Sequence, residues 1–351
     1  MIRRFLFCML CGALLRQSTA PVPAADNFLT TPPAVKHARV VIVSDPRATA
    51  AFDPQLEVVR KMVARGLTTL THQPNASAAW RSLVTPRDVV GLKVYSAPGS
   101  LSGTRPAVVA AVVEELLAAG LRPDHIIVWD RQLRDLRLAH FFKLADQYGV
   151  RVEASVSTGY DEFSFYDAVP LGQPVWGDLE FGRTGPGVGR KSFVTRIVTR
   201  EVTKIINITP LLNHNQVGVT GNLYGLTMGS VDNTLRFEDD PARLATAVPE
   251  IYALRAFGTK GDKVVLSIVD ALICQYEGED RGLLHYSAVL NQLRFSTDPV
   301  ALDVLSIQEL DRQRKVAKVA EVKPNLELYQ NATLLELGIS TPAYIDVETA
   351  P

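Results

Sequence analysis

Short apolar runs rich in Val and Ile recur along this chain, separated by longer stretches that carry apolar residues at helical spacing. The runs lie at Arg39 to Ser44, Val89 to Tyr95, His125 to Trp129, Val150 to Ala154, Lys204 to Thr209 and Val264 to Val269. Most are continuous rather than alternating, as expected of parallel strands buried on both faces. Between them, helices are predicted at Pro54 to Arg65, Pro106 to Ala119, His140 to Tyr148, Pro241 to Phe257 and Pro299 to Arg312. In the clearest of these, Thr104 is placed to cap, Pro106 suits the first turn and Gly120 supplies the stop. Strands separated by crossover helices predict an α/β fold, a mainly parallel sheet with helices on both faces. With no linker or repeat visible, one domain over residues 39–340 is expected, with a Gly-rich insertion at 159–191. Within it, Gly182 to Lys191 lacks the glycine that a phosphate loop needs before its lysine, so a surface loop is expected there.

The N-terminus reads differently. Arg3 and Arg4 precede an apolar run from Phe5 to Leu15, and small residues follow at Ala20, Ala24 and Ala25. These proportions predict a signal peptide over residues 1–25, then an extended leader over 26–38. The expected location is the periplasm or the exterior, with no integral membrane segment in the mature protein. The arginine pair evokes the twin-arginine route, although the usual spacer before Phe5-Leu6 is missing. Cys8 and Cys11 fall inside the signal, leaving Cys274 alone, so neither an internal disulfide nor an iron–sulfur cluster is expected on this chain. Lys and Arg number 37, as do Asp and Glu, which removes the overall positive field of a nucleic-acid binder.

Ligands of open α/β sheets bind beyond the carboxyl ends of the strands, so the polar residues just after each run are the candidates. They are Lys93 and Ser96, Asp130 and Arg131, the Asn213-His214-Asn215 loop, and Asp270. The segment from Lys204 to Phe237 is the densest, with Gly218, Gly221, Gly225 and Gly229 among Asn213, His214, Asn215, Asn222, Asp232 and Asn233. Each residue also has a plainer reading: the aspartates as turn formers, Lys93 as a stem packed in a strand, and the Gly/Asn segment as a structural loop.

These blocks resemble the domain of unknown function 362 family. Asp88-Val-Val-Gly-Leu-Lys93-Val, Thr104-Arg-Pro-Ala-Val-Val and Ile126-Ile-Val-Trp129-Asp130-Arg131 look like its opening half. Lys204 to Asp232 looks like its central His-and-Asn motif, while Ser267-Ile-Val-Asp270-Ala-Leu and Phe295-Ser-Thr-Asp298-Pro299-Val-Ala-Leu-Asp303 look like its closing blocks. Some members carry a ferredoxin-like cysteine cluster that is missing here, and Leu212-Asn213-His214 stands where a Lys-x-His is frequent. The resemblance implies no reaction.

From the residue types, Asp130, His214 and Asp270 are the expected ligands of a hard or borderline divalent metal ion. Lys93, Arg131 and Asn222 are expected to act beside them on an anionic small molecule. The expected function is thus that of an exported, metal-dependent enzyme. The alternatives are an envelope protein binding the same molecule without catalysis, and a metal-free enzyme using His214 as a base against Asp270. Asp298 and Asp303 are expected to serve the helix that Pro299 opens, as its N-cap and a first-turn acid.

Overall fold

The computed structural model describes residues 36–168, 176–185, 187–238 and 240–350; the expected signal peptide and most of the leader lie outside them. Its strands are β1 (Ala38–Ser44), β2 (Thr49–Ala50), β3 (Asp53–Pro54), β4 (Val90–Val94), β5 (Ile126–Asp130), β6 (Arg151–Ala154) and β7 (Tyr160–Asp167). They continue with β8 (Lys191–Thr195), β9 (Lys204–His214), β10 (Gly218–Val219), β11 (Val264–Gln275), β12 (Ser287–Ser296) and β13 (Ile345–Thr349).

Among the described residues, nine strands share one sheet in the order β13-β1-β12-β11-β9-β4-β5-β6, with β10 beside β9. The run β11-β9-β4-β5-β6 is parallel, and β12 inserts antiparallel between β11 and β1. Side chains alternate across the sheet, so each strand feeds two cores. Ile206, Ile208, Leu266 and Ile268 face the helices Leu56–Thr71, Ala76–Leu83 and Pro106–Ala118. Ile205, Leu211, Val269 and Ala271 face the helices Asn222–Ser230, Pro241–Tyr252 and Pro299–Ala317. Full burial of one such aliphatic side chain contributes about 1.5–3 kcal/mol, so two filled cores stabilise this three-layer α/β arrangement.

Several boundaries differ from those predicted. The first helix runs past Arg65, its predicted end, on to Thr71, and Gly66 lets Phe295 pack on its backbone. A Cβ built at Gly66 would stand 2.2 Å from the Phe295 ring. β9 and β11 each extend past their predicted ends, to His214 and Gln275. Pro210, which has no N–H to donate, pairs with Asp270 where the regular ladder between these strands breaks. The domain also extends past residue 340, since β13 pairs in parallel with β1. β7, inside the expected insertion, and β8, which starts at the last residue of that insertion and runs beyond it to Thr195, form a separate two-stranded sheet. Thr104 does not cap the helix it precedes: its hydroxyl donates to Ile208 O and accepts from Tyr95 N, tying the loop after β4 to β9. Among the described residues no helix is long and apolar enough to cross a membrane.

Candidate active site

The carboxyl ends of β4, β5 and β9, the helix Asn222–Ser230 and the turn after β11 enclose a polar cleft. One part, of about 260 Å³, is lined by Tyr95, Asp130, Arg131, Asp135, Met228 and Gly229 among others. A second part, of about 310 Å³, is lined by His214, Gln216, Gly278, Glu279 and Arg281. Tyr95, Tyr224, Glu238 and Asp280 line both parts.

The floor of the first part is a buried ion pair. Lys93 lies in β4 with its Nζ 2.8 Å from Asp130 Oδ1 and 2.6 Å from the Val94 carbonyl. Burial pulls the Lys93 ammonium below the ordinary lysine range, against the pull of Asp130. The other oxygen of Asp130 accepts from Ser96 N at 2.8 Å and Ser96 Oγ at 2.6 Å. Helix Asn222–Ser230 roofs this pair. A Cβ on Gly229 would stand 2.3 Å from Lys93 Cε, so only glycine allows the helix this close. Two glycines in a helix cost about 1 kcal/mol each in propensity, offset here by packing against β4 and β9.

Asn222 opens that helix and does not line the cleft: its amide donates to Asp303 Oδ1 at 2.8 Å, and its backbone N–H to the same oxygen at 2.7 Å. Leu223 N donates to Asp303 Oδ2. Asp303 lies in the second turn of helix Pro299–Ala317, not in the first as expected, and it caps a different helix from its own; burial pushes it up to about 7 despite those donors. Asp298 caps its own helix as expected, accepting from Ala301 N.

Asp270 does not follow a strand end. It lies inside β11, fully buried, and accepts from Arg105 N and Arg105 Nη1, each at 2.9 Å. With Asp130 and Asp270 both committed to cations and N–H donors, the expected metal ligands do not form a ligand set. Among the described residues no three His, Cys, Asp or Glu side chains are placed to hold an ion.

His214 ends β9 and lines the cleft, its ring centroid 4.4 Å from that of Tyr224. Its Nδ1 accepts from Gln216 N at 3.3 Å, which places the proton of the neutral ring on Nε2. Burial lowers its pKa, with Glu279 and Glu238 pulling the other way, so the neutral ring is favoured.

The turn after β11 supplies what the sequence reading missed. Tyr95 donates its hydroxyl to Asp280, 2.9 and 3.0 Å from the two carboxylate oxygens. Burial raises the Asp280 carboxyl against the Tyr95 hydrogen bond, which pulls it down, and the neighbouring Glu279, Asp130 and Asp135 add to the rise. Burial, the Asp280 carboxylate it donates to, and the neighbouring Tyr224 and Asp130 raise Tyr95 well above its ordinary value, so it stays a neutral donor. Asp280 stands in an acidic, glycine-bracketed stretch, Glu277-Gly-Glu-Asp-Arg-Gly282, which becomes a strand-end candidate once β11 is taken to Gln275. Arg131 lines the cleft opposite, its Nη1 3.4 Å from Glu238 Oε1 and its Nε without a partner. Cys274 is buried in β11 and its thiol is pushed up to about 12, so at neutral pH it is inert.

No curated protein matches this chain. One crystal structure, of a protein from Thermotoga maritima, is similar at 11% identity and a TM-score of 0.41, over 76% of this chain; the chain spans 60% of the length of that one. Residues 90–308 match the family model described as a domain of unknown function, DUF362, and take in Lys93, Asp130, His214 and Asp280. That match covers more than half of the sequence and the whole cleft, and by it the chain belongs to the domain of unknown function 362 family.

Proposed function

We propose that the cleft is the active site of a proton-transfer enzyme acting on a small oxygen-bearing molecule. The observation that carries this is the Tyr95–Asp280 contact at the junction of the two parts of the cleft, with His214 on one side and Arg131 on the other. A carboxylate with a raised pKa is a competent general base near neutral pH. In this reading Asp280 takes a proton from a carbon beside a carbonyl. The C–H electron pair moves into the carbon–carbon bond, and negative charge collects on the carbonyl oxygen. The Nε2–H of neutral His214 and the guanidinium of Arg131, both of which line the cleft, are donors for that oxygen. Return of the proton from Asp280 completes an exchange or an isomerisation.

The cleft lining favours a substrate of low charge. Asp130, Asp135, Glu238, Glu279 and Asp280 face it against Arg131 and Arg281, so a strongly anionic molecule would meet repulsion. Small uncharged hydroxyketones fit, with Arg131 holding an oxygen. The test is solvent deuterium wash-in: such compounds are incubated with the protein in D₂O and their α-proton signals followed by NMR. The expected result is signal loss with wild-type protein and none with Asp280→Asn. Binding without wash-in by any compound would make the cleft a binding site, as in the envelope-protein alternative. Export, for which Arg3, Arg4 and the Phe5 to Leu15 run speak, is part of the proposal.

A further inference from the structure

A second cavity opens on the other side of the loop that carries Tyr95 into the cleft. Its volume is about 360 Å³, within the range of small-molecule sites. Ser100, Leu101 and Arg105 of that loop form one wall. Ala107 and Ala110 of helix Pro106–Ala118, His140 and Lys143, and Phe52 to Pro54 at the β2–β3 pair form the others. The lining has two kinds of surface. Phe52, Leu101, Ala110 and Leu144 are apolar, whereas Arg105, His140 and Lys143 are basic and Asp53 is the single acid.

The charge is arranged as well as counted. Arg105 is held rigidly: Nη1 on Asp270, and Nη2 on the Leu101 and Ile273 carbonyls at 2.8 and 3.2 Å. Asp270 offsets its charge, leaving Lys143 and His140, balanced by Asp53, to set the potential of the mouth together with the helix N-terminus. There the Ala107 amide has no intrahelical acceptor and the dipole favours negative charge. Two lining residues hold positive φ without being glycine, Phe52 at 66° and His140 at 66°. Such conformations cost about 1–3 kcal/mol each and persist where the surroundings impose them, often around ligand sites.

We infer that this cavity is a second ligand site, separate from the cleft, for a compact amphiphilic anion: one carboxylate or phosphate group on a small apolar body. The head group sits between Lys143, His140 and the Ala107 amide, and the body lies on Phe52, Leu101, Ala110 and Leu144. An anionic partner, disfavoured by the acidic cleft, is accommodated here. Occupancy would also press on Leu101 and Arg105, in the loop that positions Tyr95.

Phenyl phosphate, inorganic phosphate and benzyl alcohol are suitable probes, titrated separately into the full protein labelled with ¹⁵N. Saturable shifts of the Leu101, Ala107 and Ala110 amides are expected with phenyl phosphate, weaker ones with inorganic phosphate, and none with benzyl alcohol. The double variant Lys143→Ala, His140→Asn should bind phenyl phosphate at least tenfold more weakly while keeping the wild-type melting temperature. Both side chains are exposed, and asparagine tolerates the positive φ of position 140. Arg105 is left intact because removing it would strand buried Asp270. Shifts absent from these amides, or the same affinity in wild type and double variant, would overturn the inference. Neither result bears on the cleft, whose test reads wash-in through Asp280.

Discussion

Replacing Asp270 by asparagine separates the two roles open to that residue, ligand and strut. Its carboxylate accepts from Arg105 N and Arg105 Nη1 at 2.9 Å and from Leu272 N at 3.3 Å, with the Asp270 side chain fully buried and Arg105 at 2% exposure. In Asp270→Asn one acceptor becomes an N–H₂ donor that must face one of those N–H groups, and the buried guanidinium loses its counter-charge. Breaking one partner of a buried pair costs about 3–5 kcal/mol. For a domain of this size each kcal/mol lowers the melting temperature by roughly 2 °C, so a fall of about 6–10 °C is predicted. The double variant Arg105→Met, Asp270→Leu removes both charges, although it leaves the Leu101 and Ile273 carbonyls without their donor. It should therefore melt above Asp270→Asn while remaining below wild type. Calorimetric melting of the three proteins gives the comparison. A loss under about 1 kcal/mol in Asp270→Asn, or a double variant that melts no higher than Asp270→Asn, would refute the strut.

Asp303 yields a pH dependence with a definite sign. Its carboxyl is raised to about 7 in the fold, against about 3.9 in the unfolded chain, so the native state holds the extra proton between those values. Its contribution to stability therefore falls as pH rises from about 4 towards 7, and Asp303→Asn should lose that slope in chemical denaturation across the window; identical slopes in both proteins would contradict it. At the N-terminus, sequencing of envelope-fractionated protein should begin near Ala25. Intact Met1 on cytoplasmic protein would contradict export.

The sheet was legible because buried parallel strands write themselves as continuous apolar runs, and each predicted run became a strand of the main sheet. Strand ends were not. Pro210 and Asp270 look like stops, yet the chain stays extended through both, because Asp270 is neutralised by Arg105, 165 residues away in sequence. That pairing is tertiary information, and without it Asp270 was placed in the site while Asp280, at the true end of the turn, was passed over. Lys93 and Asp130 were brought together as the motif positions implied, but as a buried pair beneath the cleft. Asn222 shows the same limit: an amide among glycines reads as a ligand-facing loop, and only the approach of Asp303 turns it into the first residue of a helix.

The central claim is that Asp280, held by Tyr95, moves a proton in the cleft. It is tested most directly by measuring, for one compound that undergoes wash-in, both the exchange rate and the dissociation constant in wild type and Asp280→Asn. Loss of a general base predicts a rate lower by about 10²–10⁴-fold, with the dissociation constant changed by less than about threefold. Wash-in persisting at the wild-type rate in folded Asp280→Asn would contradict the account.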